Sequence, residues 1–178
     1  MKIYTGRGDE GLTDLRDMTR VSKSSLRIEA YGNADELNSL VGLIRPSGYD
    51  DVDDMLRSIQ NHLHVVQADL ANPDPDEDDP VITTEHIEQL ENWIDDVTDE
   101  LDPLKSFILP GGSEPGSRLH HARSVCRRAE RRAVAFIAEE DKANERVATY
   151  LNRLSDLLFT LARLVNDREG IEEENPEY

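Results

Sequence analysis

Leu56, Ile59, Leu63, Val66 and Leu70 follow one another at alternating steps of three and four, and Ile87, Leu90, Ile94, Val97 and Leu101 repeat that rhythm. Seams of this kind are buried only when helices lie lengthwise against one another, which commits the chain to a bundle. Three further runs keep a helical period. Asn33 and Glu36 read as a capping-box-like start, followed by Leu37, Leu40, Val41 and Ile44 up to Pro46. Leu119, Ala122, Cys126, Ala129, Ala133 and Phe136 mark a helix from about Pro115 to Glu139. Val147, Leu151, Leu154, Leu158, Leu161 and Val165 mark one from about Asn144 to Arg168. Thr83 and Thr84 are capping candidates for the third helix, and the proline- and acid-rich stretch Asn72 to Pro80 is a solvated loop. The expectation is an all-α five-helix bundle over about 33–168, in a single domain 1–178. An irregular segment 1–30 without helical period precedes it, and a frayed acidic tail 170–178 follows.

Charge narrows the partners. Asp and Glu number 38 against 20 Lys and Arg, a formal net charge of −18, and only four of the basic residues are lysines. Such a surface repels nucleic acid and anionic membranes. It also suits concentrated salt, where screening removes the self-repulsion, so a halophilic cytoplasm is expected. A lone cysteine, Cys126, fits a reducing compartment. No run approaches the roughly 18 apolar residues of a membrane span, and Met1-Lys2-Ile3-Tyr4 is no signal peptide. The expected location is cytoplasmic, with no nucleic-acid or membrane partner.

Four features carry possible chemistry. Thr5-Gly6-Arg7-Gly8-Asp9-Glu10-Gly11-Leu12-Thr13 contains G-x-G-x-x-G, but no βαβ unit surrounds it and no Gly-Lys-Ser/Thr ends it. Its glycines admit a phosphate to backbone N–H groups while Thr5, Thr13 and Arg7 add hydroxyls and charge; the alternative is a flexible surface turn. Six of the sixteen arginines lie between Arg118 and Arg132. Helical phase groups Arg123, Arg127 and Arg131 beside the apolar stripe, with Glu130, and sends Arg128 and Arg132 outward. Like charges at i,i+4 repel, so the ladder needs anions, either neighbouring carboxylates or a polyphosphate. Asp35 with Asn38, early in the first helix, is either a dipole carboxylate or a site group. Asn152, Ser155 and Asp156 lie off the leucine stripe, where a solvated face is the alternative. Phe107-Ile108-Leu109-Pro110-Gly111-Gly112 is oddly apolar for a loop. No histidine has a glutamate three residues before it, so a di-iron bundle is not expected, and no metal site is assigned to the protein. His120 and His121 read as structural or surface residues, and Cys126 as a small core residue.

Taken in order, the Thr5–Thr13 loop, Tyr31-Gly32-Asn33-Ala34-Asp35-Glu36-Leu37-Asn38, Phe107–Gly112, His121-Ala122-Arg123 through Cys126-Arg127-Arg128-Ala129-Glu130-Arg131, and Tyr150 to Asp156 resemble the PduO-type ATP:cob(I)alamin adenosyltransferases along nearly the whole chain. The resemblance implies a left-handed five-helix bundle, a homotrimer with ATP between subunits, and attack of cob(I)alamin on the 5′ carbon of ATP. It implies that Thr5, Gly6, Arg7, Gly8, Thr13, Asp14 and Lys23 line the nucleotide with Arg127, Arg128, Glu130, Arg131 and Asn152. It further implies that Asp35 pairs with Arg127, that Arg123 belongs to the site, and that Phe107 sits against the corrin and helps displace the lower axial ligand. Mg2+ is expected to accompany the triphosphate. A cobalamin reductase and an adenosylcobalamin-dependent enzyme are the implied partners. One departure is Gly6, where the family usually has a basic residue; Arg7, next along, offers the charge. The competing reading is a non-catalytic cobalamin- or nucleotide-binding bundle that delivers the cofactor to a partner enzyme.

Overall fold

The structure, a computed structural model, describes residues 3–178, which leaves Lys2 of the N-terminal start outside it. Its elements run β1 (Leu12–Asp14), β2 (Arg20–Ser22), α1 (Leu26–Ile44), α2 (Asp50–Ala71), α3 (Thr84–Asp99), α4 (Glu114–Ile137) and α5 (Arg146–Arg168). Five helices were expected and five form. Helix α4 packs between α1 and α5, α1 also lies on α2, and α3 lies on α5, which touches α2 as well. The seam of α2 and the leucine stripe of α5 are fully buried. Along α3 only Leu90 and Val97 are buried, with Ile87 and Ile94 packed at the margin, and Leu101, expected in this helix, packs against the core just past its end at Asp99. Cys126 is buried as expected: burial pushes its thiol pKa up, and Sγ donates to the Leu151 carbonyl at 3.2 Å. Among the described residues no helix is long and apolar enough to cross a membrane.

Three local expectations change. Helix α1 begins seven residues before Asn33, capped by Ser25, whose Oγ accepts from the Ile28 N–H. Asn33 lies inside the helix, and its amide donates back to the Glu29 carbonyl at 2.8 Å. The first turns hide in sequence because they bury alanines and an arginine, Ala30, Ala34 and Arg27, rather than leucines. A buried cation must be paired. Arg27 donates to the Leu70 carbonyl (2.9 Å) and to Glu140 (2.8 Å), and lies over the Phe136 ring.

The segment before α1 is an antiparallel hairpin, Leu12 opposite Ser22, Thr13 opposite Val21 and Asp14 opposite Arg20. Strands of three residues are too short to print an alternating pattern, so the sequence reads as irregular there. Between the strands Asp17 caps the Thr19 N–H, and Arg16 pairs with Asp79 of the 72–83 loop.

The C-terminal tail is not frayed at its centre. Its carboxylate Glu173 pairs with Arg163, whose side chain is 8% exposed. The Glu174 carbonyl accepts from the Leu109 N–H (2.7 Å), and Asn175 accepts from Ser106 Oγ (2.6 Å). A deeply placed guanidinium without a partner would be costly, which is what holds the acidic tail down.

Candidate functional site

Two groups of the expected residues are assembled, each on its own part of the chain. In the first, the glycine loop folds onto the hairpin. Gly6 and Gly11 take positive φ (74° and 78°), where a side chain is strained. A basic residue at position 6 would thus meet the wrong backbone, and the charge stands at Arg7 instead. That guanidinium donates to Asp14 (2.9 Å), while Arg20 donates to the Arg7 carbonyl (2.7 Å). Thr5 Oγ1 accepts from the Arg7 N–H, and Thr13 stands on β1. Lys23 lies across Gly8 so closely that a Cβ there would be 2.9 Å from Nζ. Thr5, Gly6, Arg7, Gly8, Thr13, Asp14 and Lys23 therefore form one glycine-rich surface on which the Arg7 and Lys23 heads are exposed.

The second group lies on α4 and α5. Glu130 accepts from the Asn152 amide at 3.1 Å, fixing the amide orientation. Arg123 lies over the Phe159 ring, 5.4 Å from its centre. Arg127 and Arg131 are exposed, and among the described residues no ion pair engages either. Two arginines expected to point outward do so only in part. Arg128 donates to Asn33 (2.8 Å) and pairs with Glu36, and Arg132 approaches Glu29 at 3.8 Å, so both tie α4 to α1. The helical phase was right that they leave the ladder, and the flank they reach meets another helix while both heads stay about half exposed.

Asp35 is exposed on α1, and among the described residues no ion pair joins it to Arg127; the carboxylates of α1 that meet α4 are Glu29 and Glu36. Nor does any hydrogen bond or ion pair among the described residues link segment 5–23 to Arg127, Arg131 or Asn152. One chain thus presents two half-sites.

Next to the ladder, Phe107 is 81% exposed. It overhangs a cavity of about 330 Å³ whose walls include Ile108, His120, Arg123, Asp156 and Phe159. The loop's far end is anchored: Asn166 accepts from the Ser113 N–H and Oγ, both at 3.0 Å, and donates to the Gly111 carbonyl at 2.9 Å. Sequence reasoning passed over Asn166 and took His120 as a structural or surface residue. The signal for Asn166 was present, a lone amide in the buried final turn of a leucine-rich helix. Among the described residues no cluster of three His, Cys, Asp or Glu side chains is placed to hold a metal ion.

The profile of the family described as Cobalamin adenosyltransferase matches residues 3–165. A corrinoid adenosyltransferase of Bacillus subtilis is 47% identical over 176 residues, covering 96% of this chain and 90% of that protein. One from Mycobacterium leprae is 45% identical over 174 residues, covering 93% and 91%. A variant PduO-type ATP:corrinoid adenosyltransferase from Lactobacillus reuteri, solved in complex with cobalamin and ATP, superposes with a TM-score of 0.93 at 37% identity, covering 99% of this chain and all of that one.

Proposed function

Because the chain belongs to the cobalamin adenosyltransferase family, it is an ATP:corrinoid adenosyltransferase, and we propose that its active sites are completed between copies of the chain in a homotrimer. It transfers the 5′-deoxyadenosyl group of ATP to cob(I)alamin, giving adenosylcobalamin and triphosphate. The observation that carries the shared site is that no hydrogen bond or ion pair among the described residues joins the two half-sites within one chain, while Lys23 on one and Arg127 and Arg131 on the other are exposed and in no ion pair. A second feature agrees with it. Gly32 occupies the interior of α1, where glycine costs about 1 kcal/mol relative to alanine, yet a Cβ there would touch nothing within 4 Å in its own chain. Close approach of a neighbouring copy accounts for that glycine.

The chemistry asks little of the protein at the nucleophile. Cobalt(I) donates its own electron pair to C5′, the C5′–O5′ bond breaks, and the bonding pair departs with the triphosphate; no activating base is required. Positioning and charge stabilisation remain. Arg127 and Arg131 of one copy offer guanidinium forks to the phosphates. The loop of another copy offers Arg7, Lys23, the hydroxyls of Thr5 and Thr13, and the N–H groups around Gly6 and Gly8. Asn152, oriented by Glu130, addresses the nucleoside end. Asp35 reaches the ladder of a neighbouring copy, where Arg127 is its assigned partner and Arg123 stands one turn away. Asp14 orients Arg7, and Arg128 serves by fixing α4 against α1. Mg2+ enters with the triphosphate, which brings its own oxygen ligands where the protein supplies no cage. A reductase supplies the electron, and an adenosylcobalamin-dependent enzyme takes the product.

Mixing two inactive variants tests the shared site. Lys23→Ala and Arg127→Ala, dissociated and reassembled together at equal amounts, should recover about one quarter of parental activity, because that share of interfaces carries both intact halves. No recovery from the mixture would mean that each chain forms its site alone.

Phe107 is assigned to the corrin face. Its exposure removes the alternative of a core anchor, so Phe107→Ala should leave the melting temperature of the ligand-free protein nearly unchanged. ATP should bind normally, while turnover falls when cob(II)alamin must be reduced in the site and falls less when cob(I)alamin is supplied. Equal losses from both substrates would remove the corrin assignment.

The halophilic reading rests on the charge of −18. Melting temperature should climb with KCl into the molar range as screening relieves self-repulsion. A melting temperature independent of KCl would dismiss it.

A further inference from the structure

His120 is 5% exposed, and neither ring nitrogen has a hydrogen-bond partner. A neutral imidazole carries one N–H donor and one acceptor, and leaving both unmet in a protein interior is costly. Burial, with the Arg123 guanidinium next in effect and Glu173 opposing, lowers the ring's pKa and favours the neutral imidazole. Packing gives no reason for a histidine here. The Phe159 ring lies 6.0 Å away, tilted, and an aromatic hydrocarbon side chain would fill the same space without unmet groups. What distinguishes the position is its neighbourhood: the residue lines the cavity shared with Phe107 and also a hollow bordered by Gly111 and the tail carboxylate Glu173.

We propose that His120 is a specificity contact for the corrinoid, its unmet nitrogen taking a carboxamide on the rim of the macrocycle as the ring enters beneath the Phe107 loop. This rests on the assignment of Phe107 to the corrin face. A corrin is an apolar disc fringed with acetamide and propionamide arms, and each arm carries a carbonyl acceptor and an NH2 donor. Phe107 and Phe159 suit the disc, while the one neutral group with both donor and acceptor in that wall suits an arm. Loop 104–110 roofs the ring, with Leu104, Phe107 and Leu109 turned outward. Entry of the macrocycle exchanges that roof for the substrate, at which point the imidazole gains its partner. His120 touches neither cobalt nor the transferred carbon, so it selects and places the substrate rather than taking part in the transfer.

Two variants test this, H120F and H120N, by absorbance titration of cob(II)alamin into ATP-saturated protein, ATP titration, and melting without ligand. H120F should bind cob(II)alamin about 10-fold more weakly, bind ATP like the parent, and melt no lower than the parent. H120N, which keeps a donor and an acceptor, should recover part of the lost affinity. Cobalamins in which one rim amide is hydrolysed to a carboxylate give a second readout. The parent should discriminate against one such isomer, and H120F should not. Unchanged cob(II)alamin affinity in H120F overturns the proposal. So does a fall in melting temperature with cobalamin and ATP affinity lost in step, which is the mark of a structural residue. If the parent itself fails to bind cob(II)alamin, it is the corrin assignment that fails.

Discussion

Arg127→Ala is expected to lower turnover by roughly two orders of magnitude, while Arg128→Ala, one residue along, leaves it within a few-fold of the parent. The two side chains are alike in sequence and opposite in circumstance. Arg127 is exposed and held by no ion pair among the described residues, whereas Arg128 is committed to Asn33 and Glu36 of α1. Negative charge builds on the triphosphate as the C5′–O5′ bond breaks. A donor placed on that charge and lost typically costs about 2–4 kcal/mol of transition-state stabilisation. Losing Arg128 instead removes an ion pair whose partners are 42% and 56% exposed. Such a pair contributes about 0–1 kcal/mol, and to stability rather than rate. Steady-state kinetics on both variants, with melting curves as the folding control, decides the matter. Equal loss of turnover in the two would show that the whole ladder is structural.

Gly116→Ala is expected to be strongly destabilising for a change of one methyl group. A Cβ at this position would lie 2.1 Å from Asn166 Oδ1 and 2.8 Å from its Cγ, inside contact distance. Asn166 has nowhere to go without surrendering the bonds that hold Ser113 and Gly111. Overpacking of this kind costs about 1–3 kcal/mol, and each abandoned hydrogen bond about 1 more. The gain in helix propensity returns about 1 kcal/mol. With all three bonds abandoned the net loss is about 3–5 kcal/mol, which corresponds to a melting temperature lower by roughly 6–20 °C for a domain of this size. Because the same bonds anchor the Phe107 loop, corrinoid affinity should weaken while ATP affinity holds. A variant as stable as the parent would mean that Asn166 swings aside at no cost.

The residues that carry period were sufficient for the architecture. Every member of the Leu56–Leu70 seam and of the Val147–Val165 stripe is buried, and the helices they announce are there. The glycine loop, the ladder and the apolar loop were also visible, because unusual composition is a local property. What the sequence left open depended on partners far along the chain. Ser25 rather than Asn33 starts α1, since Arg27 in its first turn is buried only through Leu70, Phe136 and Glu140. The tail is held by Arg163, Leu109 and Ser106, and Arg128 is claimed by α1 some ninety residues earlier. His120 read as structural or surface, and only the cavity beside it showed its nitrogens unmet. Helical phase follows from spacing along one helix, so the sequence determined which residues share a face. Which charge that face meets is set by segments distant in sequence, and only the packing of the helices decided it.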